Sequence, residues 1–502
     1  MATLTPIGFR MPKRPNILWY CSDQQRFDTI EGLNNEHIHT PRLKRFMDTA
    51  VTFTHAHCQT QICTPSRASF LTGMYPSALG VLGNGNPYFP PEHSSRLITR
   101  VLAGEGFDVG NVGKLHLAGA GGGAEQRTDD GYRYFQYSHS HKGPDLPFHD
   151  YADWIRLQGS DPAGLIPGDW GGQASYRRGA EVKSFGGLFE PTAEADNVPP
   201  HLHQTHWCTE KGIEFINANR NVDQPWMLTL NPFDPHAPFD APYEYYRRYD
   251  PDELPGAHFC DSDIAHQQRL VDAGIDFQSK PKHPREWDHR KVQASYYAMI
   301  EQIDHEFGRL LDHLEAIGER DNTIVIFTSD HGEALCDHGM ILKGCRFFEG
   351  LVRVPLMISW PGRFAGDKIC EGLVELTDLV PTLYEALGME VPYHVQGKSL
   401  LPVLEGADDG RDHRDYVRTE FYGAINHADQ THATMYRTRR WKLVTYHGKD
   451  VCELYDLESD PWEHEDLSRD PGHAAVLRQL LREAYDAQAY ARTNPVPRTF
   501  SF

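Results

Sequence analysis

Long apolar runs are missing from this sequence, and so is any excess of positive charge. No run approaches the roughly 20 apolar residues of a membrane-spanning helix, and the start lacks the apolar stretch of a secretory signal. We therefore expect a soluble, cytoplasmic protein without a membrane partner. The net charge is −21, whereas binding nucleic-acid phosphates needs a surplus of Lys and Arg. The charge argues against a nucleic-acid binder, and the surface carboxylates are expected to serve solubility.

The cysteines lack the paired spacing of a disulfide framework. There are nine, an odd number scattered along the chain, and this suits a reducing compartment. Hydrophobic residues make up 39% and charged residues 24% of the sequence, as is typical of a folded protein rather than a disordered one. A chain of 502 residues is also long enough for more than one folded unit.

Five short apolar runs each lead into a cluster of polar residues. They predict buried strands over residues 16–21, 107–112, 226–230, 323–328 and 354–359. Stretches with helical periodicity lie between them, at 205–217 and 292–317. Alternating strands and helices predict an α/β fold, with a large mixed, mostly parallel central sheet flanked by helices. In such folds ligands bind beyond the carboxyl ends of the strands, where these polar clusters would lie.

Changes in composition divide the chain further. Residues 117–200 and 240–288 are rich in Gly, Asp and Pro and predict long loops over the site with little regular structure. Beyond residue 405, an antiparallel sheet and a final helix are predicted, with strands at 416–420, 433–437, 441–446 and 452–455 and the helix at 474–489. We expect a catalytic domain over 1–405 and a smaller C-terminal α+β domain over 406–502, which ends in a tail.

The sequence CTPSRASFLTG, which begins at Cys63, is the most informative segment. Thr64 is a favourable N-cap, Pro65 suits the first helical position, and Gly73 suits the position after the last turn. Cys63 would lie just outside the helix start, where negative charge is favoured, and Arg67 can lean back toward it. Such a nucleophile is suited to attack an anionic tetrahedral ester. A buried structural cysteine is the alternative.

Two polar pairs follow predicted strands and are expected at the same edge of the sheet. Asp23 and Gln24 follow the first strand, and Asp330 and His331 follow the fourth. Their oxygen and nitrogen atoms suit a divalent cation, which would lower the pKa of a neighbouring nucleophile. Taken singly, an Asp at a strand end more often caps the next turn. Together with Cys63, the pairs predict a metal site.

The pattern Cys-x-Pro-x-Arg from Cys63 to Arg67 closely resembles the signature by which sulfatases have their cysteine oxidised to formylglycine. The resemblance runs from about Pro15 to Asp466. It implies an alkaline-phosphatase-like fold and a formylglycine formed by a separate maturation enzyme, the formylglycine-generating enzyme. The hydrate of that aldehyde is a geminal diol. One hydroxyl attacks sulfur, and the other is later deprotonated to expel sulfate.

The resemblance also implies the ligands of one divalent ion. These are Asp23, Gln24, Asp330, His331 and the formylglycine from Cys63. The commonest sulfatase pattern has a second Asp in place of Gln24 and an Asn in place of His331. The set found here is similar to the branch that holds phosphonate monoester hydrolases, choline sulfatases and certain arylsulfatases. Ca²⁺ is the first expectation, and the nitrogen ligand also admits Mn²⁺.

Cleavage of a sulfate ester needs cations and a proton donor, because charge develops on the sulfuryl and leaving oxygens. By matched position, the resemblance implies that Lys114 and Lys343 bind the sulfate oxygens. It implies that His236, in a Pro-bounded loop, assists the leaving group and that His116 helps to deprotonate the diol. Asn84 matches a residue that contacts substrate.

Hydrolysis of sulfate monoesters, as in arylsulfatases, is the leading prediction. A phosphonate monoester or phosphodiester hydrolase could use the same site, but that branch lacks the pair formed by Lys114 and His116. A non-catalytic binder of sulfated ligands is a third possibility, against which the retained Cys63 and Arg67 argue. The sequence leaves open whether the substrate is an aryl, alkyl, choline or sugar sulfate.

Two further expectations concern surfaces. Several aromatic residues are expected to pack in the core or to line the pocket, namely Trp154, Trp170, Tyr176, Trp207, Phe239 and Tyr243. The tail from Arg492 to Phe502 is apolar for an exposed chain end. It is expected to dock on a neighbouring subunit, so the protein is predicted to be a homo-oligomer, either a dimer or a tetramer.

Overall fold

The computed structural model describes most of the chain, namely residues 14–120, 124–139, 149–162, 165, 198–239, 241–275, 277–425 and 431–491. Two sheets organise these residues. The tail from Arg492 to Phe502 and the aromatic residues Trp170 and Tyr176 lie outside the described residues. Among those described, no helix combines the length and the apolar character that crossing a membrane requires.

A nine-stranded sheet crosses the centre of the described part of the chain. Its strands are β1 Asn16–Ser22, β2 Val51–His57, β3 Asp108–Gly113, β4 Tyr134–Tyr137, β5 Trp226–Asn231, β6 Thr323–Ser329, β7 Arg353–Val354, β8 Leu356–Ser359 and β9 Lys368–Glu375. The order is β4-β3-β5-β1-β6-β8-β2-β7, with β9 on β2. β1 runs parallel to β5 and β6, and β8 is antiparallel to β6. The predicted mixed, mostly parallel sheet is confirmed.

Helices cover both faces of this sheet, so its middle strands are buried throughout. The helices of the described residues are α1 Pro41–Met47, α2 Cys63–Thr72, α3 Pro76–Leu79, α4 Ile98–Gly104, α5 Asp150–Leu157, α6 Gln204–Ala218, α7 Tyr243–Tyr246, α8 Asp261–Asp272, α9 His289–Ala316, α10 Glu349–Val352, α11 Leu379–Ala386, α12 Leu401–Leu404 and α13 Ala474–Ala491. Alternate residues of β1 point to opposite faces. Ile17 and Trp19 join the cluster packed by α2 and α11, and Leu18 and Tyr20 join the one packed by α6 and α9.

The two segments expected to be long loops contain regular structure, so that expectation is wrong for parts of them. β4 and α5 lie within 117–200, and the twelve-residue α8 lies within 240–288. Helix α5 buries Tyr151 and Ile155 against α6. The Gly and Pro content of these segments marks the connections and hid the short elements between them.

The C-terminal antiparallel sheet is confirmed as well. It consists of β10 Val417–Tyr422, β11 His432–Arg437, β12 Trp441–His447 and β13 Cys452–Asp456, in that order. The sheet packs directly on the central body, because Phe421, Met435 and Val444 belong to the same apolar cluster as Trp19. Helix α13 covers its other face through Leu480. The domain boundary near residue 405 stays a prediction.

Buried ion pairs also join the two sheets. Nζ of Lys442, on β12, lies 2.8 Å from Oε1 of Glu349 and 2.5 Å from Oε1 of Glu463. Arg437 adds a contact of 3.4 Å to Glu349. Each of these side chains is at most 4% exposed. Because a buried charge without a partner is costly, this cluster fixes the C-terminal sheet to the segment that follows Asp330 and His331.

Candidate active site

The carboxyl ends of β1 and β6 meet the start of helix α2. Since these strands are parallel neighbours in register from Asn16 to Ser22, Asp23 and Asp330 leave the sheet side by side. One ligand-type atom from each of Asp23, Cys63, Asp330 and His331 lies within 4.8 Å of the others. All four residues are fully buried. The structure thus brings together side chains that are up to about 300 residues apart in sequence.

Helix α2 begins at Cys63 itself, slightly earlier than predicted. Its N-cap is Ile62, and the prediction of Thr64 as N-cap is wrong. The physical reason is that another loop supplies the acceptor, because the backbone N–H of Thr64 donates to Oδ1 of Asn84 over 3.0 Å. Gly73 ends the helix in the left-handed conformation, as predicted, and its N–H donates to the carbonyl of Ser69. Cys63 therefore lies within the first turn, where the helix dipole favours negative charge.

Three groups surround the sulfur of Cys63. Nζ of Lys343 lies 2.9 Å from Sγ, Nε2 of His331 lies 3.1 Å from it, and Oδ1 of Asp23 lies at 3.8 Å. Lys114 is paired with the other oxygen of Asp23. Burial raises the pKa of the thiol, but Lys114, Lys343 and His331 outweigh it and hold the pKa well below its ordinary value. The site favours an anion at residue 63.

Arg67 turns back toward the start of α2, where it bridges the two carboxylates beside Cys63. Its Nε donates to Oδ2 of Asp330 over 2.9 Å, and its Nη2 donates to Oδ2 of Asp23 over 3.3 Å. Its Nη1 donates to the carbonyl of Lys114 over 3.0 Å. The guanidinium is 1% exposed. A planar donor with several N–H groups suits this task, which one ammonium group could not perform.

The histidines of the site are oriented by backbone carbonyls. Nδ1 of His331 bonds to the carbonyl of Gly332 over 2.8 Å, so its Nε2 faces Cys63. Nδ1 of His236 bonds to the carbonyl of Ala237 over 2.6 Å. Burial and the neighbouring lysines lower the pKa of both His116 and His236 to about 4. Both imidazoles are therefore neutral at pH 7.

Gln24 holds its side chain between two charged groups. Its Oε1 accepts from Nζ of Lys343 over 2.7 Å, and its Nε2 donates to Oε2 of Glu333. Its backbone is in the left-handed region, with φ of 70°. The backbone N–H donates to Oδ1 of Asp330 over 3.0 Å, and the carbonyl accepts from the hydroxyl of Tyr296 over 2.6 Å. These contacts fix both the backbone and the amide.

Sequence reasoning missed Glu333, Tyr296 and Asn231. Glu333 stands two residues after His331, in the run Asp-His-Gly-Glu, and this proximity was the available signal. Tyr296 lies on the long helix α9, and Asn231, which accepts from Arg67 over 3.3 Å, ends β5. Nothing in the local sequence distinguishes these two residues from core and strand-end residues.

The donor set fits one divalent ion. Asp23 and Asp330 offer carboxylate oxygens, and Gln24 offers an amide oxygen, as hard cations prefer. His331 offers Nε2, which also suits Mn²⁺, and the side chain at position 63 faces the same space. Three cationic side chains, Arg67, Lys114 and Lys343, lie beside the two carboxylates, so the site is suited to an anionic ester once an ion is bound.

A second group of ligand-type side chains lies at the start of α8. Nδ1 of His464 lies 3.1 Å from Oδ2 of Asp263, and Nδ1 of His338 lies 3.5 Å from it. The same oxygen accepts from the backbone N–H of Cys260 over 2.8 Å. Hydrogen bonding accounts for these contacts. We interpret the group as a structural link between α8, the loop that holds His338 and the C-terminal region.

The described aromatic residues of the predicted pocket pack in the core. Trp207 and Phe239 are fully buried and belong to apolar clusters. Trp154 is half-buried and packs against the same cluster as Trp207. Tyr243 is half-buried at the start of the short helix α7. For the first three, packing is the role that their contacts support.

The chain is similar to a known family of proteins in both sequence and structure. The model of the family described as "Sulfatase" matches residues 15–389. A second model, described as the C-terminal region of N-sulphoglucosamine sulphohydrolase, matches residues 337–489. The two matches together span nearly all of the described chain.

Individual relatives agree with the family match. An arylsulfatase of Clostridium perfringens is 28% identical over 461 residues, which are 90% of this chain and 89% of the relative. A choline-sulfatase of Rhizobium meliloti is 27% identical in an alignment 500 residues long, which covers 95% of this chain and 88% of the relative. The crystal structure of a phosphonate monoester hydrolase of Agrobacterium radiobacter superposes with a TM-score of 0.75 at 26% identity, and the match covers 95% of this chain and 96% of that one.

Proposed function

Since the chain belongs to the sulfatase family, and is an enzyme that hydrolyses sulfuric esters, we propose that it cleaves sulfate monoesters with a formylglycine hydrate made from Cys63. The observation that carries the proposal is the set of contacts around Sγ of Cys63. Lys343, His331 and Asp23 contact it within 3.8 Å, in a fully buried position at a helix start.

One divalent ion, Ca²⁺ in the first place and Mn²⁺ in the second, completes the proposed site. Asp23, Gln24, Asp330, His331 and the modified residue 63 would hold it. When bound, the ion would polarise the ester and lower the pKa of the attacking hydroxyl. Arg67 contributes by holding both carboxylates in place. This arrangement is supported by the mutual closeness of the ligand-type atoms.

The remaining polar side chains have proposed roles in the two halves of the reaction. Lys114 and Lys343 bind the sulfuryl oxygens and offset the charge that develops there. A hydroxyl oxygen at residue 63 attacks sulfur while its proton passes to the neutral imidazole of His236, and His236 delivers this proton to the ester oxygen as the S–O bond to the organic group breaks. His116 then takes the proton of the second hydroxyl, the C–O bond to sulfate breaks, and the aldehyde returns. The hydrogen bond of His116 to residue 63 supports the role of His116 as the base.

The test combines mass spectrometry with turnover. The peptide that contains Cys63, from protein made with a formylglycine-generating enzyme, should carry the aldehyde, and 4-nitrophenyl sulfate should be hydrolysed. Cys63→Ala should abolish turnover. Cys260→Ser is the matched control, because Cys260 is exposed at the N-cap of α8, where serine is favourable. An unmodified thiol together with full activity would contradict the mechanism.

A phosphonate monoester or phosphodiester hydrolase is the second candidate, and the structural similarity to the Agrobacterium enzyme favours it. Both substrates are tetrahedral anionic esters, so some activity on each is expected. The ratio of kcat/KM for an aryl sulfate to that for an aryl phosphonate decides between them. We expect a ratio above one, which Lys114→Met should lower. Binding of sulfated compounds without turnover by aldehyde-bearing protein would instead indicate a non-catalytic binder.

The organic part of the substrate, the assembly and the compartment are also proposed. The relatives are named for aryl and choline sulfates, so a screen should begin with these and extend to alkyl and sugar sulfates. We propose a homo-oligomer, a dimer or a tetramer, which light scattering coupled to size exclusion tests directly. The free cysteines of the described residues suit a reducing, cytoplasmic compartment.

A further inference from the structure

The amide of Gln24 could face the metal site in either of two ways. Its oxygen can bind a cation, whereas its NH₂ group cannot. Rotating the amide by half a turn exchanges the positions of its oxygen and its NH₂ group and leaves the shape of the side chain almost unchanged. Whether Gln24 acts as a ligand therefore depends on what fixes this rotation.

Glu333 lies directly behind the amide. Its Oε2 accepts from Nε2 of Gln24, and both side chains are fully buried. On the opposite side, Oε1 of Gln24 accepts from Nζ of Lys343 over 2.7 Å. An ammonium group can only donate and a carboxylate can only accept, so the two partners select the same orientation. The oxygen of the amide lies on the side of the site, because the same Nζ of Lys343 also contacts Sγ of Cys63 over 2.9 Å and Nε2 of His331 over 3.1 Å.

The carboxylate of Glu333 is itself fixed by the backbone. Its Oε1 accepts from the N–H groups of Leu335, over 3.1 Å, and of Leu342. Only Oε2 is left to meet Gln24. Because the loop from Leu335 to Leu342 closes on Oε1, the carboxylate cannot turn without losing two buried backbone hydrogen bonds.

We propose that Glu333 is a positioning residue that locks the amide of Gln24 with its oxygen toward the metal site. The inference rests on the proposed function, since it concerns the ion of that site. The inference also gives a reason why an amide, rather than a second carboxylate, can serve at position 24. The negative charge lies on Glu333, behind the amide of Gln24, and the hydrogen bond between the two side chains orients that amide.

An exchange of the two side chains provides the test. In Glu333→Gln, the amide oxygen at position 333 should stay on the two backbone N–H groups, so its NH₂ group meets residue 24. The amide of Gln24 must then turn and present NH₂ to the ion. In the double variant Gln24→Glu with Glu333→Gln, the carboxylate at position 24 accepts from the amide at position 333 through one oxygen. It presents the other oxygen to the ion, and the double variant has the charge of the wild type.

The readout is the affinity for Ca²⁺ and Mn²⁺, measured by isothermal titration calorimetry on metal-free protein. We expect Glu333→Gln to weaken binding about 10- to 100-fold, as loss of a supporting partner does, and the double variant to recover most of that loss. Glu333→Asp keeps the charge but shortens the reach, and should also weaken binding. Glu453→Gln, which alters a buried carboxylate of the C-terminal sheet, should leave the affinity unchanged.

Three results would overturn the proposal. The first is that Glu333→Gln binds both ions as tightly as the wild type, and the second is that Glu333→Asp does so. The third is that the double variant stays as weak as the single one while its unfolding temperature matches the wild type. A wild-type protein that binds neither ion and does not hydrolyse sulfate esters would refute the proposed function as well. If the wild type binds the ions and hydrolyses sulfate esters, but substitutions of Glu333 leave the ion affinity unchanged, only the positioning role would be refuted.

Discussion

Nε of Arg67 lies 2.9 Å from Oδ2 of Asp330, and this contact joins the helix that begins at Cys63 to the end of β6. The same guanidinium reaches Asp23 at the end of β1. Two carboxylates from neighbouring strands are thus held by one cation, and all three groups are at most 1% exposed. The pairing of β1 with β6 brings Asp23 and Asp330 side by side, and Arg67 is the side chain that bridges them.

Replacing Arg67 by lysine should therefore be far from conservative. One ammonium group cannot span both carboxylates, and their displacement should lower kcat/KM on an aryl sulfate about 100-fold, as a misplacement of roughly 1 Å does. Steady-state kinetics measure this. Arg440→Lys is the matched control, since Arg440 is half-exposed in its pair with Asp456 and should matter for neither activity nor stability. Unchanged kinetics for Arg67→Lys would contradict the bridging role.

Asn84 should contribute to stability through the helix start. Asn84→Ala removes the acceptor for the N–H of Thr64, and loss of such a cap costs about 1 kcal/mol of unfolding free energy. Asn84→Asp keeps an acceptor and should retain the stability, yet its charge should raise KM for an anionic ester. Urea unfolding and kinetics separate the two effects. If Asn84→Asp is as unstable as Asn84→Ala, capping is not the role of this residue.

Lys442 should stabilise the whole protein although it lies outside the site. Lys442→Met leaves the buried charge of Glu463 without its ion-pair partner and removes one of the partners of Glu349, which costs about 3 to 5 kcal/mol. The midpoint of urea unfolding should fall accordingly. Lys211→Met, which removes a pair with the exposed Glu214, should change the unfolding free energy by less than about 1 kcal/mol. Equal effects of the two substitutions would show that the buried cluster is not stabilising.

Glu453 should make stability depend on pH in the acid range. Burial raises its pKa, but His266, Tyr446 and Tyr455 outweigh this and hold the pKa at about 2, against about 4.3 for an unfolded chain. The folded state thus favours the ionised form. The contribution, about 3 kcal/mol, is fully present above about pH 4.3 and is lost as the pH falls toward 2.

Glu453→Gln is the corresponding variant. It should be less stable than the wild type at about pH 5, and this difference in unfolding free energy should narrow below about pH 4. Urea unfolding at about pH 7, 5, 4 and 3.5 measures the gap. A difference that stays the same down to about pH 3.5 would mean that Glu453 is not ionised preferentially in the folded state.

Strand-end residues could be predicted from sequence because their signal is local. Asp23 and Asp330 each follow an apolar run, and parallel strands bring such ends to one edge. The strand β2 escaped prediction because VTFTHAH lacks the continuous apolar run that marks the five predicted strands, although its alternation of apolar and polar residues is itself typical of a strand. Likewise, the acceptor of the Thr64 N–H comes from Asn84, twenty residues away, where no local pattern indicates it.

The amide orientation of Gln24 lies beyond sequence reasoning for a different reason. It depends on Glu333 and Lys343, about 310 to 320 residues further along the chain. Their meeting follows from the pairing of β1 with β6 and from the closure of the loop between Leu335 and Leu342. The proposed ligands could be named from the sequence, but the contacts that fix their side chains could not.

Every residue of α2, from Cys63 to Thr72, is buried, and this limits when Cys63 can be converted. A maturation enzyme that reads several residues around the cysteine needs them as an extended, accessible strand of polypeptide. Once the helix is enclosed between the sheet and α11, such access ends. The proposed conversion of Cys63 therefore requires the nascent or still unfolded chain, and we expect protein purified with an intact thiol to resist later treatment with the maturation enzyme unless it is first denatured.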